Sequence, residues 1–465
     1  MRWLAILLLI GSSPATAAPS GSPVAIAVTH RPDGSWTADY RFGETAPAWL
    51  FVRSNPDLDG KPWRQRVWTV ETPGVRLVRL GRYDAIVAPH GVPRRVRVRF
   101  TPFVAPLRAD YTPALRFSDG GTALFTDQFT VAPQRSIEAV AALGFDLSTL
   151  VDRPTVLTVR DPGRRLLVDG VATTGVATLG PGHAPTYVYA GGATLVTTPS
   201  FAGVLDPGLP RWVRDELEGF LPRLLAFYAD RLGKPATQRP MVLLSWGGGA
   251  QGGLSLGGSV LDGMVVMDLS GQRALAPSAP VLDRLRWFFG HEAAHFWIGH
   301  TVRYADPSGA WITEASADLL AIRALGMLAP GYDMRGEVQR EVDDCVATNG
   351  TKPLAEASER GEVRANYACG AALLLAAEAA TRRRDPTADA AAFVRQLIDA
   401  SRADGVVTRE DWLAAFTAVS GDPVLTARIA GFVHSGVADP AAFLVDLFTA
   451  TGIGFTATDG KVTLT

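Results

Sequence analysis

The stretch HEAAHFWIGH at 291–300, followed by WITEASADLL at 311–320, decides how this chain is read. His291 and His295 are four residues apart, so on a helix they project from one face and can share a single metal ion. Glu292 lies between them, placed to act on a water at that metal. Glu314 adds a carboxylate as a third ligand. Two imidazoles and a carboxylate leave a fourth position free, which is the pattern of a catalytic zinc and not of a closed structural one.

The resemblance extends past the ligands. His291, Glu292, His295, Trp297, Gly299 and Val302 fit the HExxHxWxGxxV signature of the aminopeptidase N family of gluzincin zinc metallopeptidases. Eighteen residues separate His295 from Glu314, as in that family, and WITEASA stands where the family has WLNEGFA. The chain thus resembles a divergent aminopeptidase N. The resemblance implies a bound Zn²⁺, with Glu292 as the general base that takes a proton from the attacking water and passes it to the leaving amine.

Two further residues complete the expected site. Asp318 is four residues after Glu314, on the same helical face, in an ExxxD spacing that resembles the thermolysin family. A metal-bound imidazole usually donates its other N–H to a carboxylate, so Asp318 is the candidate partner of a zinc histidine. The family also places a tyrosine in a YxKG context to donate to the tetrahedral oxyanion. Tyr367 and Gly370 in NYACGAALLL match it, with Cys369 where lysine is usual.

The family pattern fails at one point. Its exopeptidases hold the substrate's free amine with the glutamate of a GxMEN strand, and here the aligned residues are Gly257, Gly258, Ser259, Val260 and Leu261. Valine replaces the carboxylate. The nearby Asp262 could substitute, although successive strand residues point to opposite faces. Loss of the anchor favours internal cleavage, and the alternative is an aminopeptidase with a relocated anchor. A different class of reading is a non-catalytic binding protein with a relic peptidase domain. A relic would be expected to lose Glu292, a ligand or Tyr367, and all are present.

A net charge of −1 gives no general attraction to nucleic acid, so the expected partner is a peptide or protein substrate. Residues 1–17 combine Arg2, an apolar run from about 3 to 10 and small residues at Ala15 and Ala17, the composition of a cleaved signal peptide. That run is too short for a stable transmembrane anchor and no later stretch is long enough, so the mature chain is expected to be periplasmic or secreted. No cysteine follows it to suggest a lipoprotein. The two cysteines, Cys345 and Cys369, are either a disulfide or two buried thiols.

The expected fold is α+β and multidomain. An antiparallel β-sandwich domain at 18–200 is marked by short runs such as AWLFVRS, VRLVRLG, RRVRVRF and RLLVDGVATTG. Arg95, Arg97 and Arg99 alternate with valines, as on the wet face of a strand. A thermolysin-like zinc peptidase domain follows at 201–420. It opens with a helical period at 209–232 that Pro222 should bend or interrupt. Strands at 241–247 and 264–270 flank a glycine-rich loop, GGGAQGGLSLGG, which lacks the Lys-Ser/Thr ending of a phosphate loop. Helices are expected at about 281–300, 311–327, 332–347, 366–383, 387–402 and 408–419. The remainder, 421–465, holds a helix-like DPAAFLVDLFTATG and a hairpin turning at Asp459-Gly460.

Overall fold

A computed structural model describes residues 22–465 apart from 109, 145, 146, 148, 149, 151, 152 and 238. The expected signal peptide lies outside the described residues. The protein is α+β: β-rich as far as Leu205, and dominated by helices beyond it.

Two sheets form the N-terminal part. In the nine-stranded sheet, Trp68–Val70, Arg95–Phe100, Trp36–Phe42, Val24–His30, Thr155–Val168, Tyr187–Gly191, Thr122–Phe125 and Ala114–Arg116 lie side by side, and Val171–Leu179 pairs with Thr155–Val168. The second sheet runs Val131–Gln134, Ala46–Phe51, Tyr83–Val92 and Arg76–Leu80. Strand Arg95–Phe100 shows why they form a sandwich. Val96, Val98 and Phe100 point into the core while the arginines stay wet, with Arg97 on Asp39 and Arg99 on Asp33. Aromatic rings fill the space between the sheets, for example Phe42 stacked on Trp49 at 4.1 Å. One pair departs from the expected antiparallel pattern: Val24–Thr29 runs parallel to Thr155–Arg160.

The C-terminal half is built on a five-stranded sheet in the order Leu195–Thr197, Ala202–Leu205, Met241–Trp246, Met264–Ser270, Ser255–Leu261. The last of these begins inside the stretch expected to be a glycine-rich loop. Its ladder with Met264–Ser270 supplies the backbone partners that local composition does not reveal. Helix Arg211–Leu232 passes through Pro222 without interruption. Apolar residues on both sides of the proline, including Leu217, Phe220, Leu224 and Tyr228, are buried in the main core and hold the turns together.

Three helices carry the expected site residues: Ala279–Ala294 and Arg364–Arg382 both pack on Ala310–Leu328. The first ends six residues short of the expected 300. At Gly299 the backbone has φ +146°, a region that favours glycine, and the chain turns away from the helix axis. The latter two helices approach closely because Gly370 has no side chain: a Cβ there would lie 2.5 Å from Ala315 Cβ and 2.6 Å from the Trp311 carbonyl. Cys345 and Cys369 form a disulfide that ties helix Met334–Asn349 to the Tyr367 helix. Beyond the expected elements, Pro423–Ser435 is also helical, capped by Asp422 with proline in its first turn.

Candidate metal centre

The fold brings His291, His295 and Glu314 together in a buried cluster, their ligand atoms all within 4.8 Å of one another. The two Nε2 atoms are 3.2 Å apart, and Glu314 Oε2 lies 3.4 Å from that of His291 and 3.6 Å from that of His295. Atoms held at zinc-ligand distance from a tetrahedral centre stand about 3.3 Å apart, so this triangle has the right size.

The outer nitrogens fix how the rings present themselves. His291 Nδ1 is 3.1 Å from Asp318 Oδ1, and His295 Nδ1 is 3.1 Å from the Ile298 carbonyl. A carboxylate and a carbonyl can only accept, so each Nδ1 carries the proton and each Nε2 turns toward the gap. Burial disfavours a charged His291, but the nearby carboxylates of Asp318 and Glu314 more than offset this and raise its pKa to about 10. The cluster is therefore built to surround a cation. Glu314 Oε2 and Glu292 Oε2 are both buried without a hydrogen-bond partner, which is costly for carboxylates unless something positive sits between them.

Glu292 is 5% exposed on the same helix as the histidines. Burial raises its pKa, and the imidazoles of His291 and His295 pull it back. Its neighbour across the cleft is the edge strand: a Cβ on Gly258 would lie 2.9 Å from Glu292 Oε1 and 2.5 Å from the Phe288 ring. Glycine lets that strand pass close to the carboxylate. Val260, two residues on, is fully buried in the main core, whereas Asp262 is exposed on the turn that follows.

Tyr367 stacks on the His291 ring at 5.4 Å and 19°. Burial, reinforced by the carboxylates of Glu314 and Asp318, pushes its pKa well above the ordinary range, so the hydroxyl remains a proton donor. Asp318 is completely buried, not a solvated charge. It is held in turn by Arg364, whose guanidinium lies 3.4 Å from Asp318, 2.6 Å from Glu341 and 2.8 Å from Asp344. Arg364 escaped the sequence reading, although it is three residues before Tyr367 and occupies the first turn of the same helix.

No protein-family model matches this chain, and no curated protein matches it. Solved structures do. An aminopeptidase N family protein from Idiomarina loihiensis superposes with a TM-score of 0.63 over 93% of this chain and 78% of that one, at 11% identity. The fold is that of the aminopeptidase N family. An M1 zinc metallopeptidase variant from Deinococcus radiodurans, bound to a Tyr-Ser-Ala substrate, gives a TM-score of 0.51 over 89% of this chain and 94% of that one, at 16% identity. Leukotriene A4 hydrolase from Saccharomyces cerevisiae gives 0.52 over 89% and 68%, at 10% identity. At such identities the likeness speaks for the M1 fold, and the chemistry must be argued from this chain's own residues.

Proposed function

We propose that this chain is an exported, zinc-dependent peptidase of the aminopeptidase N type. The observation that carries the reading is the convergence of His291 Nε2, His295 Nε2 and Glu314 Oε2 on one buried point, with the unpartnered Glu292 carboxylate beside it. The three ligands would hold Zn²⁺, which when bound supplies Lewis-acid polarisation of a carbonyl and lowers the pKa of water. Glu292 takes the proton of the attacking water and returns it to the leaving amine, and its raised pKa suits both halves of that transfer. Tyr367 donates a hydrogen bond to the oxyanion. Asp318, held by Arg364, keeps His291 in the tautomer that offers Nε2 to the metal.

The substrate is a peptide, and nothing in the net charge favours nucleic acid. The Cys345–Cys369 disulfide supports export, because such bonds persist in oxidising compartments. Among the described residues no helix is long and apolar enough to cross a membrane.

The test is zinc content together with digestion of a mixed peptide library read by mass spectrometry. Wild type should hold one zinc per chain and cleave. His295→Ala should lose the metal on dialysis against a weak chelator, and Tyr367→Phe should lower kcat more than it raises KM. Stoichiometric zinc in His295→Ala, or an unchanged kcat in Tyr367→Phe, would remove the assigned roles.

A further inference from the structure

Adjacent glycines on the strand Ser255–Leu261 are approached from opposite faces by two carboxylates. On one face Glu292 comes up against Gly258. On the other, Gly257 pairs across the ladder with Asp268, and a Cβ on Gly257 would collide with Asp268 Oδ1. The Asp268 carboxylate thus lies over bare backbone of the outermost strand, one residue along from the point that Glu292 touches.

Asp268 is the unusual member of this neighbourhood. Among the described residues no hydrogen bond or ion pair engages its carboxylate, and burial alone acts on it, raising its pKa to about 6. The cation offered by the sandwich is already committed: Arg53 lies 2.6 Å from Asp127 and 3.3 Å from Asp110. Tyr111, from the same side, donates its hydroxyl to the Val260 carbonyl at 3.2 Å and closes the strand edge there. A carboxylate kept half-buried with no donor and no countercharge is costly, and the cost is offset when a cation arrives.

We propose that Asp268 is a specificity-determining residue that receives a cationic group of the peptide, an ammonium or a guanidinium, at the edge strand whose other face meets Glu292. The inference rests on the peptidase reading given above. An extended peptide adding to the outer edge of Ser255–Leu261 meets Glu292 at Gly258 and Asp268 at Gly257, so a charge about one residue from the reacting bond is read. That charge comes either from a free α-amine or from a Lys or Arg side chain.

The two sources are separated by four peptides of one sequence, with the amino terminus free or acetylated and one position occupied by lysine or norleucine. Their binding is measured by calorimetry on the zinc-loaded Glu292→Gln protein, which does not need to turn over. The cationic form is expected to bind about ten-fold or more tightly than its neutral match, and the gap should close in the isosteric Asp268→Asn variant. The free-amine arm or the lysine arm carries the gap, according to the source. Equal binding of all four peptides, binding of none, or a gap that survives Asp268→Asn overturns the proposal. Failure of the peptidase reading appears separately, as wild-type protein that binds these peptides and cleaves none.

Discussion

Each half of the molecule buries a cluster of charge, and the two are constructed in opposite ways. In the sandwich, Arg64 is fully buried over the Phe51 ring at 4.3 Å, with Asp84 2.7 Å away and the Gln128 Oε1 2.9 Å away. Asp84 also accepts from Gln65 at 2.7 Å and from Arg79 at 3.1 Å. Donors face acceptors across the ion pair, with Arg64 Nε the one nitrogen of that guanidinium buried without a partner among the described residues. In the helical half, the Nε2 atoms of His291 and His295 and the Glu314 carboxylate converge on one point, and Glu292 Oε2 is buried without a partner. Burial of charge therefore does not distinguish a site from a scaffold. The direction in which the polar atoms point does.

The largest effect that can break this comparison is on turnover. Glu292→Gln should leave zinc content unchanged and lower kcat by about 10²–10⁴-fold, because an amide cannot accept the proton of water. Metal analysis beside stopped-time peptide assays decides it. Near-normal turnover would place the unpartnered carboxylate with the scaffold and not with the chemistry.

The sandwich cluster should respond in stability and not in metal affinity. Arg64→Met leaves Asp84 buried without its main partner and should cost about 3–5 kcal/mol, read by urea unfolding. The Arg64→Met, Asp84→Leu double variant should lose less than that single change, since no orphaned charge remains. Zinc affinity in both should match wild type. A double variant worse than the single would mean that the pair does more than balance its own burial.

How far all this could be read from the chain follows the range of the interactions. His291 with His295, and Glu314 with Asp318, were legible as pairs because a spacing of four places each pair on one helical face, while Glu292 and the link between the pairs rested on the resemblance to the family signature. Arg364 was not legible, because its meaning depends on Glu341 and Asp344 from a separate helix. The strand at Ser255–Leu261 looked like loop for a similar reason: its glycines have poor strand propensity, and the ladder to Met264–Ser270 decides the matter. The parallel pairing of Val24 with Thr155 depends on a register across the whole sandwich. Helix Pro423–Ser435, by contrast, carried a local signal in Asp422-Pro423 that went unused.

A smaller effect tests the layer behind the ligands. Asp318→Ala removes the acceptor of His291 Nδ1–H while leaving Arg364 on Glu341 and Asp344, so zinc affinity should fall by about 10–100-fold, less than for loss of a ligand. Competition with a chromogenic chelator measures it. Unchanged affinity would show that His291 needs no carboxylate at Nδ1 to present Nε2 to the metal.

The smallest effect concerns Asp268, which fits neither cluster because its carboxylate has no opposite charge and no converging ligands. Burial raises its pKa to about 6 from an ordinary 3.8. The folded state therefore binds its proton more tightly than the unfolded chain does, and stability is lost as pH rises from about 4 through 6. Asn cannot ionise, so Asp268→Asn should be more stable than wild type at pH 7, by about 1 kcal/mol once partial solvent screening is allowed for, and nearly equal to it at pH 4. Thermal unfolding of the two proteins at both pH values makes the comparison. If a cationic peptide is then added at pH 7, wild type should gain stability and the variant should not, because only the ionised carboxylate has a charge left to satisfy. A difference between the proteins that is the same at both pH values would mean that Asp268 contributes by packing over Gly257, and that its charge is not what the fold carries into the cleft.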